Sequence, residues 1–514
     1  MLKNKVLLGA QIGLITSVLM LISNFLLRSY FVKIYGADLT GYYLLIVQLM
    51  GLLNLAELGV GTALTYILFK PLHEGDQEGI KGLFCVIKKI YICIAVAILV
   101  IGGLFSIFLH VIVDSSIASK DLYIPWYLFV LSTSVSYFYS AQTVLLTADQ
   151  NVYIVKFITG VARVLTYVIQ ICIIFYGAPF WMVCIIELLS NIIQYYLFDV
   201  IVKNKYEYLK KISETYEVRH KPEINKKIKK EVKYTFIHKF AGVAVFNTDY
   251  LIISVFLGVS LITSFSSYMM LIQALGFIIS ALASPLGAHI GSKFHKEGRD
   301  KVIALISLYN TGFFILAMIC SFIFYTSSSA FVRLWMGDSV LLDRTTVFLL
   351  AMNCFVLVAR TSFDAAKVGL GYMSDIELPL LEAGINIVLS IWLVQMYGLK
   401  GIVLGTLISN FLVVMFMKPV FLYRRALGLN IKLIINELFR LWFFVILFFG
   451  LAYFNYNNDM VYADNWLTYL GCVFYKNTVP VFILLLIWCG LDRFTRAFIL
   501  DCLNKKLKKY NVFR

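Results

Sequence analysis

The sequence predicts an all-α polytopic membrane protein with about fourteen transmembrane helices. Of its 514 residues 61% are hydrophobic and only 14% are charged, whereas soluble proteins are about 45–50% apolar and about 25% charged. The apolar residues also form long runs, and a run of about 20 residues is needed to cross a ~30 Å hydrocarbon core. The mean hydropathy of +0.84 and the presence of only 8 prolines exclude disordered and collagen-like chains.

Each predicted helix is an apolar run bounded by charged or turn-forming residues. Lys476 and Pro480 interrupt the final run, so it is the least regular of the set. The segment 326–344 contains five charged or tryptophan residues and is interpreted as an interfacial connection. In chain order the predicted spans are 8–32, 41–69, 84–112, 125–147, 152–175, 179–202, 234–257, 262–289, 302–325, 345–368, 376–397, 401–421, 433–454 and 467–491.

The basic residues predict the orientation of these helices. With the N-terminus inside, 34 Lys and Arg are assigned to the cytoplasmic segments and the adjoining parts of the helices, and six to the outer side. Cytoplasmic loops of membrane proteins are enriched in positive charge, so both termini are expected in the cytoplasm. The loop 203–233 holds eleven of these residues and is a solvated linker or a lipid-binding, regulatory segment. The net charge of +16 is therefore assigned to the membrane surface, and no nucleic-acid partner is expected.

An internal repeat divides the chain. Gly36 precedes His73 by 37 residues and Gly258 precedes His295 by the same distance, while LLSN at 188–191 recurs as LISN at 407–410. Two parallel six-helix lobes with a midplane site between them are typical of transporters. The predicted organisation is an N-lobe at 1–202, a basic linker at 203–233, a C-lobe at 234–421, an accessory helix pair at 422–492 and a basic cytoplasmic tail at 493–514.

Residues 25–76 carry a family resemblance. They read FLLRSYFVKIYGADLTGYYLLIVQLMGLLNLAELGVGTALTYILFKPLHEGD, with an arginine at 28, a turn from Gly36 to Gly41, a tyrosine pair at 42–43 and the run AELGVGTAL at 56–64. This segment resembles the polysaccharide transporter family, the Wzx-type flippases of the multidrug/oligosaccharidyl-lipid/polysaccharide (MOP) superfamily. Two six-helix lobes with a trailing helix pair also match that family.

The resemblance implies a function that composition does not reveal. The family moves undecaprenyl-diphosphate-linked oligosaccharide, as used for O-antigen and capsule, from the cytoplasmic to the outer face of the bacterial inner membrane. We therefore expect a non-enzymatic flippase that works by alternating access of two lobes. Its expected partners are the lipid-linked oligosaccharide, membrane lipid and other membrane proteins of polysaccharide assembly, and the chain itself is expected to be a monomer.

Four cations within the apolar runs are candidates for binding the diphosphate: Arg163, Arg28, Arg360 and Lys239. Charges inside a bilayer are costly and usually face a polar interior or a partner, and arginine presents a planar fork of donors to phosphate. Alternatives exist for three of them. Arg360 has Asp364 one helical turn away, and Arg28 and Lys239 lie close enough to an interface to snorkel. Arg163 lies deep, and no local acid is available to it.

Glu57 and Asp249 are the candidates for ion coupling, because both are predicted near mid-bilayer and a buried carboxyl holds a proton more readily. The alternatives are a Glu57–Arg28 pair and a Na⁺ ligand role for Asp249 with Asn247. H⁺ and Na⁺ both stay open as coupling ions. Glu187 and Glu382 are the other acids within predicted spans.

Other classes of protein find little support in the sequence. The nine cysteines are scattered and the six histidines form no ligand pattern, so no metal or other cofactor is expected. P-loop, HExxH, GxSxG and sugar-nucleotide motifs are missing from the sequence. A cation-coupled multidrug antiporter of the MATE type is the main alternative, and it would favour acidic cavity residues. A polysaccharide polymerase or ligase would need a larger outer loop than the longest one here, about 19 residues.

Overall fold

A computed structural model describes residues 2–53, 60–113, 117–211, 247–372, 375, 377–455 and 463–491. Within these ranges the secondary structure is helical, with no strand. Nine helical stretches in the described ranges are long and apolar enough to cross a bilayer. The chain is therefore an all-α, multi-pass membrane protein, as predicted. It divides into two compact units, Met1–Thr263 and Ser264–Arg514.

In the first unit α1 packs along α7, α3 packs on α5, and α5 packs on α8. Short 3₁₀ turns follow α3 at Ser106–Phe108 and α8 at Glu207–Lys211. The helices of this unit are α1 (Leu2–Leu53), α2 (Val60–Glu74), α3 (Gln77–Phe105), α4 (Leu109–Ile112), α5 (Ser119–Phe138), α6 (Ser140–Ala148), α7 (Val152–Phe175), α8 (Phe180–Lys205) and α9 (Asn247–Leu257).

In the second unit α12 packs on α13 and α14 packs on α15, with α17 and α18 lying against α12. A π-helical stretch, Asn410–Met417, joins α15 to α16. The helices are α10 (Ser260–Ala283), which begins just before the division, α11 (Leu286–Glu297), α12 (Arg299–Met336), α13 (Arg344–Gly369), α14 (Glu377–Tyr397), α15 (Leu399–Ser409), α16 (Lys418–Leu427), α17 (Ile431–Asn455) and α18 (Trp466–Leu491).

Aromatic packing fills the core of the second unit. Phe314 of α12 makes edge-to-face contacts with Phe355 of α13 and Trp442 of α17, with ring centroids 5.6 and 6.3 Å apart. Such pairs add about 0.5–1.5 kcal/mol beyond the area that they bury. In the first unit Trp126 of α5 donates its indole N–H to the Gly102 carbonyl of α3 at 2.9 Å. That bond satisfies a donor in a region without water to accept it.

The predicted repeat is visible in the backbone. Gly36 and Gly258 both take a left-handed conformation, with φ of 79° and 91°, which glycine adopts without steric cost. Gly75 and Gly298 likewise have positive φ, and each follows directly after a helix, α2 and α11 respectively.

Two repeat-equivalent turns touch each other within the first unit. The Thr263 hydroxyl donates to the Ala37 carbonyl at 2.6 Å, and a Cβ on Gly41 would lie 1.9 Å from the Val259 carbonyl oxygen. Gly41 is therefore required for this close approach, as small residues are at many helix contacts in membranes. Equivalent residues meet in this way in symmetric pairings, which agrees with a repeated architecture.

Each of the fourteen predicted spans overlaps a helix, but several differ in detail. α1 continues from the span 8–32 into the span 41–69 across the break at Gly36, and the span 262–289 ends in a second helix, α11. The span 125–147 is two helices, interrupted at Tyr139. The span 401–421 is a succession of α, π and α segments. The predicted connection 326–344 is wrong over its first part, because α12 continues to Met336. No proline or glycine stops that helix before Gly337, whose φ is 94°.

The predicted lobe boundaries stay a prediction, because most of the linker 203–233 lies outside the described residues. α9 groups with the first unit: the Asn247 side-chain amide donates to the Gln48 carbonyl of α1 at 3.0 Å, and the Ser254 hydroxyl donates to the Ile112 carbonyl of α4.

Candidate functional site

The central feature of the first unit is an ion pair between α7 and α8 whose glutamate is the more buried partner. Nη1 of Arg163 contacts Oε1 of Glu187, and the two side chains are 41% and 10% exposed. The guanidinium carbon also lies 5.8 Å from the centroid of the Tyr167 ring. The expectation that Arg163 has no local acid is therefore wrong: Glu187 lies 24 residues away in sequence and opposite it on the next helix.

Polar contacts align these two helices at further levels. The Thr166 hydroxyl donates to the Ser190 hydroxyl at 2.7 Å, and the Gln170 amide donates to the Val183 carbonyl at 3.0 Å. In an apolar medium such bonds replace the hydrogen bonds that water would supply. They hold α7 and α8 in the register that brings Arg163 to Glu187.

Arg28 of α1 belongs to the same region. Its side chain is half-buried, and it interacts electrostatically with Tyr43, Tyr167 and Tyr250. Arg163 interacts with two of these, Tyr43 and Tyr167. The structure thus brings two of the predicted diphosphate ligands, from α1 and α7, to shared tyrosines.

We call this set the arginine–tyrosine cluster. It combines two arginines, one glutamate and three tyrosines from four helices of the first unit. Its members are Arg28, Tyr43, Arg163, Tyr167, Glu187 and Tyr250.

Arg360 lies in a different environment, in the second unit. Its Nε is 3.3 Å from Oδ2 of Asp364, and its Nη1 is 3.9 Å from Oε1 of Glu382 on α14. The intrahelical pair that the sequence offered as an alternative is therefore present. Lys418 of α16, placed directly after the π-helical stretch, contacts the other oxygen of Asp364.

A further pair extends this network along α13, where Lys367 contacts Asp375 and the two side chains are 13% and 3% exposed. The sequence interpretation missed Lys367, Lys418 and Asp375. The signal for one of them was present, because residues 360, 364 and 367 lie on one helical face at spacings of four and three. The three cations and three acids of the network balance, so it offers no excess charge.

Asp249 is buried, with 6% of the residue exposed, next to Tyr250 on α9. Its helix is fixed to α1 by the hydrogen bond from Asn247 to Gln48. Two other predicted site residues, Glu57 and Lys239, lie outside the described residues. Across the described ranges no group of three or more His, Cys, Asp and Glu side chains is placed to hold a metal ion.

Outside the membrane-spanning helices, one polar cluster closes the turn between α6 and α7. Oδ2 of Asp149 accepts from the Tyr206 hydroxyl at 2.6 Å and lies 2.9 Å from Nζ of Lys205, both at the end of α8. Partial burial alone would raise the pKa of Asp149, but the bonds from Tyr206, Lys205 and Asn151 outweigh it, so the pKa lies below its usual value. The cluster fixes the start of the basic linker to the first unit.

No protein family profile matches the chain, and no curated protein sequence matches it. Its structure is nevertheless similar to solved transporters. A lipid II flippase, MurJ, in an inward closed conformation matches with a TM-score of 0.64 at 13% identity, over 93% of this chain and 98% of that one.

Two multidrug transporters match as well. An inward-facing MATE transporter of the MOP superfamily gives a TM-score of 0.60 at 15% identity, over 81% of this chain and 96% of that one. A point mutant of VcmN, a MATE transporter from Vibrio cholerae, gives 0.51 at 12% identity, over 84% and 99%. The chain therefore has the helical fold that these flippases and transporters share.

Proposed function

We propose that this chain is a flippase that moves an undecaprenyl-diphosphate-linked oligosaccharide from the cytoplasmic to the outer face of a bacterial inner membrane, with both termini in the cytoplasm. The observation that carries the proposal is the arginine–tyrosine cluster. Two arginines from separate helices share tyrosine neighbours inside a membrane-spanning unit, and one of them, Arg163, is paired with a carboxylate.

A diphosphate suits this cluster chemically. Guanidinium groups donate parallel hydrogen bonds to phosphate oxygens, and they keep their charge at any physiological pH. The tyrosine hydroxyls add further donors. In our proposal Arg163 and Arg28 bind the diphosphate, the glycan occupies the hydrated interior and the polyprenyl chain stays in lipid while the two lobes alternate in access.

The remaining candidates have less direct support. Arg360 would have to exchange a carboxylate partner for a phosphate, since Asp364 and Glu382 already flank it. Lys239 stays a proposed ligand on the basis of the sequence alone. Asp249 and Glu57 stay the proposed coupling acids, for H⁺ or Na⁺, and the burial of Asp249 supports that role.

Similarity to other transporters supports the general class. MurJ is described as a lipid II flippase, and the segment 25–76 resembles the polysaccharide transporter family. Both relations favour a lipid-linked, sugar-bearing substrate and a place among the membrane proteins of polysaccharide assembly.

The second candidate is a cation-coupled multidrug antiporter. The fold similarity to MATE transporters and the buried Asp249 favour it. Its cationic substrates would be repelled by the two guanidinium groups of the arginine–tyrosine cluster, and for that reason we rank it second.

Reconstitution into proteoliposomes tests the two proposals against each other. One set of vesicles contains a fluorescent undecaprenyl-diphosphate oligosaccharide, and a second set encloses a lipophilic cationic dye under an imposed H⁺ or Na⁺ gradient. We expect the glycan to become accessible from the opposite side only when the protein is present. Gradient-driven movement of the dye without movement of the glycan would favour the antiporter instead.

A further inference from the structure

Glu187 engages its arginine with only one of its two oxygens. Oε1 contacts Nη1 of Arg163, whereas Oε2 is buried and has no hydrogen-bond partner among the described residues. A guanidinium–carboxylate pair is strongest when it is bidentate, with two parallel bonds. Here one carboxylate oxygen lacks a donor, and guanidinium donors remain beyond the single contact.

The two partners also differ in exposure. The Arg163 side chain is 41% exposed and the Glu187 side chain 10% exposed. Arg163 is therefore the more accessible partner for an incoming anion, and Glu187 is the more enclosed one. A phosphate group that takes up the guanidinium fork must compete with Glu187 for it.

We propose that Glu187 is a built-in counter-ion which the substrate diphosphate displaces from Arg163, and that the displaced carboxylate takes up a proton at Oε2. Substrate binding is then coupled to protonation of Glu187. This inference rests on the proposed function, because it names how the same site is regulated.

The exchange takes up one proton, which comes from water. Before binding, Arg163 and Glu187 neutralise each other. After binding, the diphosphate faces Arg163, and one proton from water converts Glu187 from carboxylate to carboxylic acid. Arginine does not give up its proton in proteins, so Glu187 is the member of the pair that changes its protonation state. A carboxylate left in this buried position without its cation would otherwise pay the full cost of desolvation.

The groups around Glu187 allow this change. From α7 it faces Arg163 and Tyr167, from α1 Tyr43, and on its own helix Cys184. Arg28 reaches the same region through Tyr167. On the other side α5 contributes neutral contacts, Ser132 accepting from Asn191 of α8 at 2.8 Å, and Asp121 of α5 lies within electrostatic reach of Cys184.

The test measures protons taken up when undecaprenyl diphosphate binds to the purified full chain in nanodiscs. Calorimetry in buffers of different ionisation enthalpy gives the proton count, and titrations at several pH values give the Kd. Glu187→Gln keeps the size and one acceptor oxygen but cannot take a proton. Asp199→Asn is the matched control, since Asp199 is a second ion-paired acid on α8, bound to Lys203 at 2.6 Å near its exposed end.

We expect the wild type and Asp199→Asn to take up about one proton more per bound diphosphate than Glu187→Gln does. For a single linked proton, each unit of pH increase raises the Kd of these two proteins by up to about tenfold more than it raises the Kd of Glu187→Gln. Because all three proteins bind the same ligand, the difference between their proton counts excludes protons that the diphosphate itself gains or loses. Equal proton counts in all three proteins would overturn the inference and leave the proposed function intact, whereas no binding by the wild type would count against both.

Arg163→Gln keeps the proposal testable if Glu187→Gln does not fold. That variant removes the cation before the ligand arrives, so the ligand cannot displace Glu187 from it and residual binding through Arg28 is expected to bring no proton to Glu187. If Arg163→Gln took up as many protons on diphosphate binding as the wild type does, the counter-ion role of Glu187 would be contradicted.

Discussion

Single charged residues in this chain are matched by partners that lie on neighbouring helices. The sequence identified Arg163, Arg28 and Arg360 as unusual because each interrupts an apolar run. Their partners depend on helix register: Glu187 is opposite Arg163 across the α7–α8 contact, and Lys418 reaches Asp364 from α16. A charge and a partner one turn away, such as Arg360 and Asp364, can thus be found from the sequence, but a partner on another helix cannot, since no local pattern sets which faces of two helices meet.

At the same scale, Asp149 predicts a pH dependence of stability. Its folded-state pKa lies below its usual value, so its contribution is complete above the unfolded-state pKa of about 3.9 and is lost as the pH falls through the folded-state value. We expect Asp149→Asn to lower the thermal unfolding temperature at pH 7 and to lower it less as the pH falls below about 4. Thermal unfolding of both proteins between about pH 3 and pH 7 measures this difference, and a constant difference would contradict it.

Individual helices and turns were predicted best where the pattern is local. Apolar runs located every span, because the length of a run and its flanking charges are set by the bilayer. The break at Tyr139 and the π-helical stretch after Ser409 were missed. Neither carries a proline or glycine signal, so nothing local in the sequence indicates them.

Gly41 gives a prediction for the close contact between repeat-equivalent turns. A Cβ there would lie 1.9 Å from the backbone oxygen of Val259, so the backbones of the two turns would have to move apart. Overpacking of this kind costs about 1–3 kcal/mol or more. We expect Gly41→Ala to lower the unfolding temperature and the yield of monodisperse protein. Gly13→Ala, in the same helix with open space around its Cα, is the control and should behave like the wild type.

Gln150 gives a prediction for the α6–α7 turn. It is the one non-glycine residue with positive φ among the described residues, at 59°, and the equivalent turn of the second unit has Gly371 at 67°. A left-handed conformation costs a non-glycine residue about 1–2 kcal/mol. Gln150→Gly should therefore raise the unfolding temperature and Gly371→Gln should lower it. A fall in the first variant would show that the Gln150 side chain outweighs the strain.

For the whole molecule, the internal repeat was the most informative long-range signal. Its glycines recur at matching turns, and the fold matches transporters of known structure over most of the chain. The repeat does not extend to the charges: the first unit has the arginine–tyrosine cluster, whereas the second has a network of alternating acids and cations around Arg360. The proposed function therefore depends on the first unit, which the repeat alone would not have indicated.

The most direct test of this account is transport by Arg163→Ala in proteoliposomes that contain an undecaprenyl-diphosphate oligosaccharide. Lys156→Ala, which removes an exposed cation from the same helix, is the control. We expect the wild type and Lys156→Ala to expose the glycan on the opposite side at similar rates, and Arg163→Ala to be slower by about a hundredfold or more, as loss of a buried charge-assisted contact of about 3 kcal/mol implies. Undiminished transport by a folded Arg163→Ala protein would contradict the claim that this cluster binds the diphosphate.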